Sequence, residues 1–160
     1  DAVDVLADRD RRINATLTLN LKNLQANGLG IPLASGAVRV YESDSNGRPT
    51  YIGASSIGDI PTNTGANLTI SNVFDVWVQG KNLGTKKVGK DSYQTSYSAL
   101  VHNSKHVPVK LRVVHEAYGL WRIASESAKS RRISGSESQW VVSVPAGSET
   151  TLRFAVLTHG

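Results

Sequence analysis

From Ile13 to Leu21 every odd-numbered residue is apolar and every even-numbered one is polar. A helix returns its apolar face every three to four residues, so this run requires a strand with one face in a core and the other in water. The same period recurs in Val38-Arg-Val-Tyr41, in 74–79, and again around Trp140, Val142, Val144 and Leu152, Phe154, Val156. Turn-forming residues separate these runs. Gly30, Pro32 and Gly36 precede the strand at 38, and Asn46-Gly47 is a strong hairpin signal. Segment 58–67 is rich in Gly, Pro, Asn and Thr, and Tyr118-Gly119 and Pro145-Ala-Gly147 mark two later turns. No stretch shows an amphipathic helical pattern. The expected fold is therefore all-β, built of antiparallel sandwiches, with an immunoglobulin- or fibronectin-like second half in which Trp121 or Trp140 is the buried aromatic. The expected division is a lead-in or linker over 1–12, one sandwich half over 13–89 and a second over 90–160, with the split near 89–91.

A chain of 160 residues buries roughly 70% of its extended surface and needs neither metal nor disulfide to fold. With no cysteine, thiolate catalysis and sulfur-ligated zinc are excluded. Lys and Arg number 18 against 13 Asp and Glu, a net charge of +5 that favours solubility and anionic partners. No run is long and apolar enough for a membrane-spanning helix, and no positively charged start followed by an apolar core marks a signal peptide within the chain, so any address label is expected upstream. The expectation is a mature or excised part of a longer protein.

The motifs with chemical potential are sparse. His102 and His106 have a spacing that two metal ligands could use, but Asn103, Ser104 and Pro108 around them spell a turn. His115-Glu116 could form an acid–base pair but lacks a recognisable nucleophile. The run from Glu42 to Gly47 has oxygen-bearing residues at the alternate positions of a calcium loop, yet Gly53 stands where the distal Glu should be. Serine, phosphate-loop and dinucleotide motifs are absent, and no cofactor is expected. Asn14-Ala-Thr16 and Asn67-Leu-Thr69 match the glycosylation pattern at a frequency chance explains. Basic clusters at 81–90 and 129–132 contain no aromatic residue, which argues against nucleic acid. Lysines on an edge strand also block unwanted pairing. Trp77 alternates with Phe74, Val76 and Val78, so it is either core or, on a solvent face, a stacking platform for a sugar. A ligand surface of Trp77, Lys81, Lys86 and Lys87 follows from the second option. A faint echo also links 32–41 with 145–154, each a turn feeding an alternating strand.

The residues of 19–23, 28–41, 74–76, 100–103, 107–114, 121–123 and 140–154 carry a resemblance to a bacterial C-terminal domain of unknown function found in mucoidy-inhibitor-A-like proteins. It departs at Ala34-Ser35-Gly36, where that family has Pro-Ala-Gly, and at His106, where it has a carboxylate. The resemblance implies a β-rich C-terminal module of a larger protein of the bacterial periplasm or cell envelope, with no catalytic residues to carry over.

Together these observations predict a non-catalytic structural or interaction module whose partner is an upstream domain of the same polypeptide or another envelope protein. The alternative is a module binding acidic polysaccharide. A weaker third option is a hydrolase fragment with His102, His106 and His115 at a metal.

Overall fold

The computed structural model describes residues 4–6, 11–43 and 46–160, with residues 4–6 and 71–73 described in backbone only. In chain order the strands are β1 (Asp4–Leu6), β2 (Arg12–Lys22), β3 (Gly36–Ser43), β4 (Pro49–Ile57), β5 (Gly65–Gly89), β6 (Ser92–Asn103), β7 (Val109–Glu116), β8 (Leu120–Glu126), β9 (Arg131–Arg132), β10 (Glu137–Val144) and β11 (Ser148–His159). One turn of 3₁₀ helix, Gln25–Asn27, follows β2 and is ended by Gly28 in the left-handed conformation. The chain is all-β, as its alternation requires.

Two compact units form. The first comprises Asp1–Ala15 and Val73–Gly160, and the second comprises Thr16–Asn72. Residues 89–91, where the sequence suggests a split, make the tight turn between β5 and β6 and lie within the first unit.

The first unit is a sandwich. One sheet carries β5-β6-β11-β8, with the start of β2 beside β5, and the other carries β1-β7-β10-β9. Segment 1–12 differs from the expected lead-in: Asp4, Val5 and Leu6 pair in parallel with Arg112, Val113 and Val114, and Arg12 opens β2. Residues 1–3 and 7–10 lie outside the described residues. Inward positions of both sheets supply the core: Val76, Val78, Ala99, Val101, Leu152, Phe154 and Val156 from one, and Leu111, Val113, Trp140, Val142 and Val144 from the other. Both candidate tryptophans are buried, Trp140 completely and Trp121 at 6% exposure. Phe154 packs against Trp140 with ring centroids 4.4 Å apart. Burying one such side chain contributes roughly 1.5–3 kcal/mol.

The sandwich shares the two-sheet architecture of immunoglobulin-type domains and has a strand order of its own. β6 pairs with β11 in one sheet, and their continuations β7 and β10 pair with each other in the second. A two-stranded ribbon is thus folded over the core, as in jelly rolls. Where it folds, backbone groups leave the ladder and need other partners. Asn103, fully buried, provides them. Its Nδ2 donates to the carbonyls of Val107 at 2.9 Å, Val144 at 3.3 Å and Pro145 at 3.0 Å, and its Oδ1 accepts from Lys105 N at 3.0 Å.

The second unit uses the same device. β3 pairs with β4, and fully buried Asn23 follows β2. Asn23 Nδ2 donates to the carbonyls of Ile31 at 2.7 Å, Ile60 at 3.2 Å and Pro61 at 3.1 Å, and Oδ1 accepts from Gly30 N at 2.9 Å. In both units two of the three carbonyls belong to a proline and the residue before it. The internal correspondence therefore matches Asn23 with Asn103 and Pro61 with Pro145, a different alignment from the echo of 32–41 with 145–154.

Within this unit Val38 and Val40 are half-buried while Arg39 and Tyr41 are exposed, as alternation predicts. The last ladder pair is Ser43 with Pro49, too far apart in sequence for a two-residue turn at Asn46-Gly47. Asp44 and Ser45 of the calcium-like run lie outside the described residues. Residues 65–89 form one continuous strand, which takes in the last three residues of the turn-rich segment 58–67 as well as the alternating run 74–79. Bulges at Asn82/Gly84 and Lys87/Gly89 accommodate its length.

Gly65 must be glycine for close approach, since a Cβ there would lie 2.5 Å from the carbonyl oxygen of Leu21. Gly65→Ala is expected to destabilise the second unit by about 1–3 kcal/mol through this clash. Urea unfolding followed by far-UV circular dichroism measures it, and an unchanged midpoint would show that the two strands can separate without loss.

Candidate functional site

On β5, Trp77 points away from the core, because Val76 and Val78 on either side are buried. It is half-buried by its neighbours in the sheet. His102 sits opposite it on β6 and stacks on the indole, with centroids 4.7 Å apart and planes 14° from parallel. From β2, the strand on the other side of β5, the Arg12 guanidinium lies 3.9 Å from the ring centroid. Both faces of Trp77 are therefore covered. A further step across the sheet, Glu149 of β11 pairs with His102 and accepts from its Nδ1 at 2.9 Å. Arg12, Trp77, His102 and Glu149 form one row across four strands. The indole edge is all that this arrangement offers a ligand, which removes Trp77 as a free stacking platform.

The three lysines of the expected ligand surface are exposed but do not converge. Lys81 shares the outer face with Trp77, about 13 Å along the strand. The bulge at Asn82/Gly84 shifts the alternation by one residue, so Lys86, opposite Gln94, also faces outward. Lys87 is opposite Tyr93 and therefore points to the other face, with its Nζ 5.8 Å from that ring. Among the described residues no strand pairs with the basic segment beyond the reach of the eleven-residue β2, and lysines on such an edge discourage pairing with other chains.

Two further cations stand on this face. Arg153 of β11 and Lys81 of β5 are both opposite Ser98, and Arg122 of β8 is opposite Leu157, which is opposite Gln94. Both arginines are exposed. Their phase was available in the sequence, because Arg153 alternates with Leu152 and Phe154, but the juxtaposition with Lys81 depends on strand order.

The histidines do not meet. His102 lies on the outer face, His106 is exposed on the 104–108 connection, and His115 is 2% exposed on β7. His115 faces the rings of Tyr97 at 4.8 Å, Phe154 at 5.1 Å and Trp121 at 6.4 Å. Among the described residues no group of three or more His, Cys, Asp or Glu side chains is placed to hold a metal ion. His115 and Glu116 point to opposite faces of β7, so they are not an acid–base pair.

Glu116 instead accepts a 2.7 Å hydrogen bond from the Tyr118 hydroxyl. That bond, followed by the repulsion between phenolate and carboxylate, raises the Tyr118 pKa above the ordinary tyrosine value. Glu116→Gln is therefore expected to lower the pH at which Tyr118 ionises, read from the phenolate absorbance against a Tyr118→Phe reference. An unmoved titration would show that the bond does not persist in solution.

Arg132 closes the far end of the sandwich. Its guanidinium lies 4.0 Å from the Trp121 ring and donates to Trp121 O at 3.0 Å and Ser134 O at 3.1 Å, and it also reaches Gly135 O. This member of the basic cluster at 129–132 thus holds a loop. Among the described residues no helix is long and apolar enough to cross a membrane.

A scan against family models, a search of curated proteins and a search of solved structures each find no match to this chain.

Proposed function

We propose that this chain is a non-catalytic β-sandwich interaction module, the C-terminal part of a larger bacterial envelope-associated protein, which holds an upstream domain of the same polypeptide or another envelope protein by surface complementarity. The observation that carries this reading is the aromatic pair on the β3–β4 hairpin. Tyr41 and Tyr51 are directly opposite in register, their rings meet edge to face with centroids 5.5 Å apart, and they are 54% and 55% exposed. Arg39 shares their face. Exposed tyrosines beside an arginine have the composition of an interface centre rather than of ordinary surface. The two-stranded sheet also presents edges to which a further strand can add.

The test adds the upstream segment to the chain and follows melting. Stabilisation that is lost in the Tyr41→Ala/Tyr51→Ala variant is the expected result. No stabilisation at saturating concentration overturns the reading.

A second reading, binding of an acidic glycan, is supported by Lys81, Lys86, Arg122 and Arg153 sharing the outer face of the larger sheet.

A further inference from the structure

We infer that an anionic polysaccharide of uronic-acid type binds across the outer face of the β5-β6-β11-β8 sheet, in a band of small side chains between two rows of cations. This rests on the second reading above and gives it a site. Register defines the band: Gly84, Ser96, Ala155 and Ser125 are opposite one another, one from each strand. One row above lie Lys81, Ser98 and Arg153, and one row below lie Lys86, Gln94, Leu157 and Arg122. Large basic side chains thus flank the band, while the four residues along it are all Gly, Ala or Ser.

At the β5 end the band is open, since a Cβ added at Gly84 would meet nothing within 4 Å. Ala155, at 3% exposure, is its deepest point. Lys81 and Arg153 stand two strands apart, about 10 Å, on either side of Ser98. No acidic residue occupies the band or its two flanking rows. On this face Glu149 is already bonded to His102, and Glu126, opposite inward-facing Phe154, accepts from the indole N–H of Trp140 at 3.1 Å.

The chemistry selects the ligand. Carboxylates repeated along a sugar chain match the guanidinium groups of Arg122 and Arg153 and the ammonium groups of Lys81 and Lys86. A flat sugar ring fits over the accessible Gly84, Ser96 and Ser125, with Ala155 sealed beneath, and the hydroxyls of Ser96 and Ser125 bond sugar oxygens. Nucleic acid is disfavoured because the band presents no open aromatic face on which bases could stack, Trp77 being covered on both sides.

The test titrates the chain with polygalacturonate at low salt by calorimetry. Neutral dextran and a single-stranded DNA oligonucleotide serve as comparison ligands. Lys81→Glu/Arg153→Glu reverses charge in one row, and Ser96→Tyr fills the band with no change of charge. Lys22→Glu/Lys110→Glu changes the net charge equally on other elements. Each variant is checked for an unchanged melting temperature, and Ser96→Thr replaces Ser96→Tyr if the latter unfolds.

The expected result is salt-sensitive binding of polygalacturonate but not dextran. It weakens about tenfold or more in both site variants and less than threefold in the charge control. Absence of binding by the unaltered chain overturns the acidic-glycan reading and the site together. Binding that both site variants retain leaves that reading standing and overturns this site. Equal affinity for the oligonucleotide overturns the sugar assignment.

Discussion

Asn103→Asp is expected to cost the first unit about 3–5 kcal/mol at neutral pH, with the loss shrinking as the pH falls. The replacement keeps the shape of the side chain and removes its N–H donors. The carbonyls of Val107, Val144 and Pro145 would then face a carboxylate that can only accept. Each orphaned buried group costs about 1–3 kcal/mol, and a buried charge adds to that unless it takes up a proton. Burial and the facing carbonyls both raise the folded-state pKa of the new carboxyl. Stability is therefore recovered below the unfolded-state pKa and lost as the pH rises through the folded one. All three tryptophans lie in the first unit, so fluorescence-monitored urea unfolding reads that unit. Asn103→Ala lacks the pH dependence and separates lost bonding from added charge. A pH-independent Asn103→Asp effect would show that water, not the amide, satisfies the fold.

Trp140→Ala is the second large effect, expected at about 3–5 kcal/mol. The side chain is fully buried against Phe154, and its indole N–H donates to Glu126, which also accepts from Ser130 N at 3.0 Å. Truncation opens a cavity between the two sheets and releases the loop after β8. Trp140→Phe keeps most of the packing and loses only the N–H, so it should cost less than half as much. Glu126→Gln, which still accepts from the indole, should cost little. Equal losses for Trp140→Ala and Trp140→Phe would place the stabilisation in the hydrogen bond rather than in the cavity.

Much of this architecture was legible in the alternation itself. The inward residues of β10 and β11, Trp140, Val142, Val144, Leu152, Phe154 and Val156, follow directly from period two. Strand pairing was not, because an alternating strand satisfies its core face against any partner of similar length, and nothing local says that β11 lies between β6 and β8. The length of β5 was hidden for a related reason, since Asn72 and Gly80 carry turn signals that pairing with neighbouring strands overrides. Asn23 and Asn103 did leave a trace. Each occupies the position where the alternation calls for the next inward apolar residue, after Leu21 and after Val101. An amide there announces buried backbone in need of partners.

The candidate surface was legible only in part. Trp77 and Lys81 share a face as alternation demands, but the bulge at Asn82/Gly84 that keeps Lys86 outward and turns Lys87 inward cannot be seen in the order of residues. The stack of Arg12 and His102 on Trp77 joins three strands separated by the whole of the second unit or by the β5–β6 turn.

The central place of β11 bears on how the first unit folds. This strand follows its partners in the chain yet bonds to β6 on one side and β8 on the other, with Ser92 pairing to His159 across 67 positions. Until it arrives, β6 and β8 present raw edges and the core lacks Leu152, Phe154 and Val156. Contacts so distant along the chain form slowly, on the order of milliseconds to seconds. During that interval the unfinished sandwich is exposed to sticking edge to edge with its own kind. A segment whose last strand is also its keystone therefore yields best when synthesis is slow relative to closure, and truncation within 148–159 yields aggregate rather than a shorter sandwich.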